Sequence, residues 1–321
     1  MNPANKIFWG LALFATSAIA TAQEWPSRPV RLIVPVSPGG ATDAIVRMMA
    51  PKMSATLGTS VAVENLAGAG GIVGTVAAKK AAPDGYTWLI SSTGAFTANP
   101  HLHKQLPYAT ADFDPVCRIG TGPYVLVVNP SLGIKTLSEL LARAKAGSLS
   151  FASPGLGSAA HMAQELFKSR AAPGVPFVHV PYKGTAQAIN DTIGGHSQVL
   201  FEAPGPLIPQ IESGKLVALG VTSARRLSSL PQVPTFAELG HPEVRLEGWI
   251  GLSVPHSTPA PIVTKIVSAC KSALADPELQ ERAQALSFQI EFLAPPDFKA
   301  FMANELQKWG ELTRQAGLKP E

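Results

Sequence analysis

Charge is scarce in this chain. Only 15% of the 321 residues are Asp, Glu, Lys or Arg, against 46% hydrophobic, which excludes a disordered segment or a long coiled coil and leaves ample side chain for a buried core. Neither sign dominates: 26 Lys and Arg against 22 Asp and Glu give a net charge of +4, with the basic residues scattered. No stripe exists to track a phosphate backbone, so nucleic acid is excluded as a partner. Cysteine is limited to Cys117 and Cys270, far apart in sequence, which rules out CxxC redox chemistry and a cysteine zinc site. After the first 22 residues no apolar run reaches the ~20 residues of a membrane span without Pro, Gly or charge. A GxSxG elbow and an HExxH pair are both missing.

Glycine (28) and proline (29) are plentiful, so loops are many and specific, and the length suggests roughly two domains. At the N-terminus Lys6 precedes an apolar run over residues 7–20, and Ala20-Thr21-Ala22 offers the small residues of a signal-peptidase site before Gln23. Residues 1–22 read as a signal peptide cleaved after Ala22, which places the product in the periplasm. In an exported chain Cys117 and Cys270 form either a disulfide or two separately buried thiols.

Hydrophobic periodicity alternates between strand and helix. Strands are expected over 30–36, 61–63, 86–91, 125–128, 149–152, 177–180, 198–201, 216–221 and 249–254. Helices are expected over 42–57, 72–82, 137–146, 158–168, 185–193, 206–213, 261–275, 277–285 and 296–316. This pattern predicts an α/β protein with parallel-rich sheets and flanking helices. It divides into residues 1–22 (signal peptide), a discontinuous first domain (23–125 and 246–321) and a second domain (126–245), joined by crossings near 124–129 and 245–251.

The two series open alike, with a strand, then Ser37-Pro38-Gly39-Gly40 or Ser153-Pro154-Gly155-Leu156-Gly157, then a helix. A helix start leaves the N–H groups of its first turn unpaired and carries about half a positive charge, so a carboxylate or phosphate placed there gains charge-assisted hydrogen bonds. Glycine at such a turn lets a ligand approach the backbone; ordinary turn geometry is the competing explanation for each turn taken singly. Thr42 and Ser158 add hydroxyls, and Asp43 is read as structural, its charge complementing the helix dipole. Gly155-Leu156-Gly157-Ser158-Ala159-Ala160 also fits a degenerate dinucleotide fingerprint, but no acidic residue follows at the next strand end, where Val178-His179-Val180-Pro181 stands. His101 and His103 read as a solvated loop, His161 as a packing or hydrogen-bonding residue, and Lys183 as either an attractor of anions or a surface lysine. No cofactor or metal is expected.

Several motifs together carry a resemblance. They are Trp25-Pro26-Ser27-Arg28-Pro29-Val30, Pro38-Gly39-Gly40-Ala41-Thr42-Asp43, Glu64-Asn65 with Gly68-Ala69-Gly70-Gly71, and Pro83-Asp84-Gly85-Tyr86-Thr87 in the first unit. The second unit supplies Gly155-Leu156-Gly157-Ser158 with His161, Val180-Pro181-Tyr182-Lys183-Gly184-Thr185 with Asp191, Ser213-Gly214-Lys215-Leu216, and Leu230-Pro231-Gln232-Val233-Pro234-Thr235. Over nearly the whole mature chain the sequence resembles the periplasmic receptors of the tripartite tricarboxylate transporter family, the Bug receptors. The resemblance implies a two-lobed type II periplasmic binding protein fold with a hinge of two crossings. It also implies a monomer that closes on a small carboxylated solute, partly through ordered water, and delivers it to membrane permease subunits.

On this reading the ligand meets the backbone at Gly39, Gly40, Ala41 and Thr42 and at Gly157, Ser158 and Ala159. Ser91, Ser92 and Thr93 line the first lobe. Asp191 lines the second lobe or pairs locally. Val36 after Pro35, Glu202 after Phe201 and Gln187 depart from the family's common aromatic residue, Asp and Pro; they bear on which acid is taken. A secreted α/β enzyme without a recognised motif, or a ligand-sensing subunit for a membrane sensor, are the alternative functions.

Overall fold

The computed structural model describes residues 24–315, 317, 318 and 320; the expected signal peptide and cleavage site lie outside these. The chain runs β1 (Val30–Val34), α1 (Ala41–Leu57), β2 (Val61–Asn65), α2 (Ile72–Lys79), β3 (Thr87–Ser92), a π-helical turn Gly94–Ala98, α3 (Asn99–Leu102) and β4 (Phe113–Pro123). After Tyr124 come β5 (Val125–Val128), α4 (Leu137–Ala146), β6 (Leu149–Ser153), α5 (Ala159–Arg170), β7 (Phe177–Pro181), α6 (Thr185–Ile193), β8 (Val199–Glu202), α7 (Pro204–Glu212) and β9 (Val217–Val221). The last segment is β10 (Glu247–Pro255), α8 (Ala260–Leu274), α9 (Pro277–Ala285), β11 (Gln289–Leu293) and α10 (Pro295–Gln315).

Two sheets form, in the orders β11-β4-β10-β3-β1-β2 and β7-β6-β8-β5-β9. They are mixed: most strands of each sheet run the same way, and the rest run against them. β1 pairs in parallel with β2 and β3, and β6 with β7 and β8, but β5 and β10 run antiparallel to their neighbours, as does β11 to β4. The cause is the connection. β1, β3 and β4 end facing the space between the lobes, whereas β5 and β10 each begin at a crossing and must run away from it. β4 was missed because Pro115, Gly120, Gly122 and Pro123 break its strand pattern; a Cβ at Gly120 would collide with the carbonyl of Gln289 on β11.

The sequence explains the local structure where one face is buried. β1 carries Val30, Leu32, Ile33 and Val34 at no exposure, as a strand covered on both faces requires. α1 turns Ile45, Val46, Met49, Ala50 and Met53 into the same core and ends on Gly58 at φ 67°. In the second lobe Phe151, Phe167, Phe177, Phe201 and Phe236 form one aromatic cluster, with Phe151 and Phe201 stacked at 5.7 Å. α10 belongs to both cores: Phe298, Phe301 and Met302 pack with Trp249 in the first lobe, while Trp309 and Leu312 pack with Leu126 and Met162 in the second.

One threonine ties the crossings together. Its hydroxyl accepts the Tyr124 N–H at 2.9 Å and donates to the Leu246 carbonyl at 2.6 Å, while the Thr222 N–H donates to the Tyr124 carbonyl at 3.0 Å.

Cys117 of β4 and Cys270 of α8 are bonded and fully buried, which decides between the two sequence alternatives. The bond closes a loop spanning 153 residues of sequence. Loops of that size restrict the unfolded chain strongly, so a Cys117→Ala/Cys270→Ala variant should lose about 3–5 kcal/mol of stability. Urea unfolding of the two proteins side by side measures this, and an unchanged midpoint would contradict it.

Candidate functional site

A cavity of about 380 Å³ lies between the lobes, walled by turns of both. Five helices present their first residues to it: α1 through Gly40, Ala41 and Thr42, α2 through Gly71, α5 through Ser158, Ala159 and Ala160, α6 through Gly184 and Thr185, and α7 through Ala203 and Pro204. Their positive ends therefore converge on one volume, an arrangement that favours an anion. α1 and α6 have no side-chain cap, which leaves the N–H groups of their first turns unclaimed by a side chain.

Polar groups behind the turns are paired within the protein. The Gly39 N–H donates to Asp43 at 3.1 Å, and Asp43 is buried and also held by Arg47 at 3.0 Å and Asn65 at 2.8 Å. Burial acts to raise the Asp43 carboxyl, but these hydrogen bonds and the Arg47 charge outweigh it and hold the group below the usual range. Asp43 thus shapes its turn, as the sequence suggested. In the opposite turn the Gly155 N–H donates to the Ser153 hydroxyl at 3.2 Å, and that hydroxyl is hydrogen-bonded to His179 Nε2 at 2.7 Å. The Gly157 N–H donates to His161 Nδ1 at 3.3 Å, and the two imidazoles stack at 4.2 Å. Burial, then the neighbouring His179 and Lys168 charges, push His161 down to about 3; burial, then Lys168, push His179 down to about 4. Both rings are neutral near pH 7, and His161 Nδ1 is an acceptor under the turn.

Gly40, Ala41, Thr42, Ser92, Thr93, Ser158 and Ala159 of the expected set lie on the cavity wall. Gly39 and Gly157 stand behind it, since their N–H groups are spent on Asp43 and His161. At Gly157, with φ 75°, the space of a Cβ is filled by the Asn99 amide, so substitution there disturbs packing first. Ser91 is buried in β3, its hydroxyl accepting from Ser253 at 3.1 Å. Asp191 sits in the second turn of α6 away from the wall, where it adds to burial in raising the Tyr182 phenol. His101 leaves its expected solvated loop for α3, where Nε2 meets the Leu306 carbonyl at 2.8 Å.

Other wall residues were not anticipated from sequence: Gly70 and Gly71, Tyr124, Trp249 and Phe288; Glu202 at the end of β8, marked in the sequence as bearing on which acid is taken, also lies on the wall. Only Glu202 carried a signal, as an acid closing the apolar run Val199-Leu200-Phe201. Ser37 donates its hydroxyl to the Lys183 carbonyl at 2.8 Å, a hydrogen bond from one lobe to the other. Lys183 itself is exposed at the rim. Among the described residues no cluster of His, Cys, Asp and Glu suits a metal ion, and no helix is long and apolar enough to cross a membrane.

Two α/β lobes around an anion-favouring cavity define a binding protein of the type that closes on a solute. Residues 45–318 match the family described as tripartite tricarboxylate transporter family receptor. Protein BugT of Bordetella pertussis is 38% identical over 312 residues, covering 95% of each chain. Among solved structures, the periplasmic binding protein BugD superposes with a TM-score of 0.88 at 34% identity, over 92% of this chain and 100% of its own. Rpa4515 of R. palustris, solved with adipate, gives a TM-score of 0.88 at 30% identity over 93% of this chain and 100% of its own. The chain belongs to the tripartite tricarboxylate transporter receptor family, whose members are periplasmic solute-binding receptors and not enzymes.

The paired imidazoles make a prediction about acid. His161 and His179 are held far below the 6.5 of an unfolded histidine. Below that value the unfolded chain therefore binds more protons than the folded one, and the stability these residues contribute above it is lost as pH falls towards about 4. Glu202, raised above 4.5, offsets part of this in the opposite sense. Melting temperature should fall between pH 6.5 and 4, and a His179→Gln variant should show a shallower fall; equal slopes would contradict the assignment.

Proposed function

We propose that this chain captures a small organic acid, a di- or tricarboxylate or an aromatic carboxylate, between its lobes and presents it to the permease subunits of a tripartite transporter. On this reading the protein works in the periplasm as a monomer after loss of residues 1–22. Residues 23–125 and 246–321 act as one lobe and 126–245 as the other, closing about the crossings at Tyr124 and Leu246. The observation that carries the reading is the convergence of five helix starts on one enclosed volume, with first-turn N–H groups of α1, α5 and α6 left for a ligand. A carboxylate replaces its lost hydration there with fixed backbone donors, and no protein cation needs to be buried with it. Adipate in Rpa4515 supports an acid as ligand.

A panel of mono-, di- and tricarboxylates tested by thermal shift, with substrate consumption followed in parallel, examines this. The cognate acid at ~100 times its Kd should stabilise the protein by about 2.7 kcal/mol and remain chemically unchanged. Small-angle scattering with that acid should give a smaller radius of gyration than without it. Absence of a shift with every acid, or turnover of one, would overturn the proposal.

Gly40 gives a sharper test of the backbone donors. Its φ of −83° suits any residue, and a Cβ there would meet only the Thr185 side chain, its hydroxyl at 3.4 Å and its Cβ at 3.8 Å. Gly40→Val should therefore fold normally yet bind the acid at least tenfold more weakly by calorimetry, because the side chain intrudes on the N–H groups of Ala41 and Thr42. Unchanged affinity would remove the α1 turn from the site.

A further inference from the structure

Glu202 closes β8 on the cavity wall and is 5% exposed. Its Oε1 accepts the Ala203 N–H at 2.8 Å. Its Oε2 is buried and has no hydrogen-bond partner. Among the wall residues it is the only carboxyl group, and the only cation is Lys183, exposed at the rim.

The elements packed around Glu202 bring little charge. Tyr124, from the first crossing, faces it with a phenol whose own proton is held tightly, by burial and then by the Glu202 charge. Tyr182 and Lys183 come from the turn before α6, and Thr185 offers a hydroxyl from α6 itself. β10 contributes Gly248 and Trp249, and the turn after α9 contributes Leu286 and Phe288. Glu247 of β10 lines a separate cavity with Arg225, Arg226 and Arg245. With the Ala203 N–H, some help from the Thr185 hydroxyl and no cation beside it, a carboxylate there is on balance destabilised as an anion by its burial, whereas a carboxylic acid there has its carbonyl oxygen matched and one O–H left to give.

We propose that Glu202 is a specificity-determining residue that carries a proton and donates Oε2–H to a second oxygen of the bound acid, other than the carboxylate oxygens that meet the N–H groups of α1 and α5. This rests on the carboxylate reading above and refines it: the cavity selects solutes with a second oxygen acceptor and disfavours those with an ammonium group. Burial pushes the Glu202 carboxyl up to about 7, so the unliganded group is partly ionised in a neutral medium. Binding an oxygen acceptor requires the protonated form. Capture is therefore coupled to uptake of a proton above that pH.

The test uses the full mature protein, straight-chain dicarboxylates from malonate to suberate and the matching monocarboxylates, with affinities measured by calorimetry from pH 6.5 to 8.5. Simple aliphatic acids are fully ionised across this range, so they add no titration of their own. The best-bound dicarboxylate should exceed its monocarboxylate partner, should lose affinity as pH rises towards a limit of about tenfold per unit, and should take up a proton on binding at the alkaline end. Glu202→Gln keeps a carbonyl oxygen for Ala203 and an N–H donor for the solute. It should bind with an affinity that no longer depends on pH and should surpass the unaltered protein at pH 8.5, while Glu202→Ala should be weak throughout. A pH-independent affinity in the unaltered protein, or an equal loss in the Gln and Ala variants, would overturn the role of Glu202 and leave carboxylate capture standing. Affinity that rises with pH and belongs to amino-group solutes would assign Glu202 as an anion instead. Failure of every acid to bind at any pH would remove the carboxylate reading itself, and this inference with it.

Discussion

The architecture depends on keeping first-turn N–H groups of α1, α5 and α6 unpaired while the turns that carry them are held from behind by hydrogen bonds. An unpaired buried N–H costs about 1–3 kcal/mol, so helix starts usually point at water or acquire side-chain caps. Here α1 and α6 have none, and the turns before α1 and α5 are fixed from behind instead, by Asp43 on the Gly39 N–H and by Ser153 and His161 on those of Gly155 and Gly157. Each turn is held in shape by its own side chains, and its outward donors are left for a ligand.

That constraint explains the topology around the site. Bringing helix starts from two sheets to one volume requires the carboxyl ends of β1, β3, β6 and β8 to face each other, and the chain can then join the lobes only by strands that start or finish at the same place. β4 and β10 do so, with Tyr124 and Leu246 linked through Thr222. The disulfide and α10 lie outside the cavity wall; the first anchors β4 to α8, and the second spans both cores through Phe298 and Trp309.

Much of this was legible in the sequence, for identifiable reasons. The β1–turn–α1 and β6–turn–α5 units announce themselves because an apolar strand, a glycine turn and an amphipathic helix are contiguous. α6 and α9 were bounded correctly by Gly184 and Gly194 and by Asp276-Pro277. β4 was illegible because its prolines and glycines answer to β10 and β11, which come more than a hundred residues later. In the site, two of the five helix starts were recognised from their Ser-Pro-Gly turns, and the other three lack that mark. Ser91 and Ser92 adjoin in sequence, yet strand alternation sends one into the sheet and the other to the cavity. Glu202 stood out in the sequence as an acid where the family has Asp, but its burial could not be read there because Tyr124, which faces it, comes from a distant segment.

Amide resonances report directly on the central claim that a carboxylate is held by backbone donors of both lobes. With the protein labelled with nitrogen-15 and titrated with its cognate acid, the account predicts that the N–H protons of Ala41, Thr42, Ala159 and Ala160 move furthest downfield, together and in proportion to saturation. Shifts confined to one lobe, or the largest shifts at residues off these helix starts with those four unmoved, would contradict it.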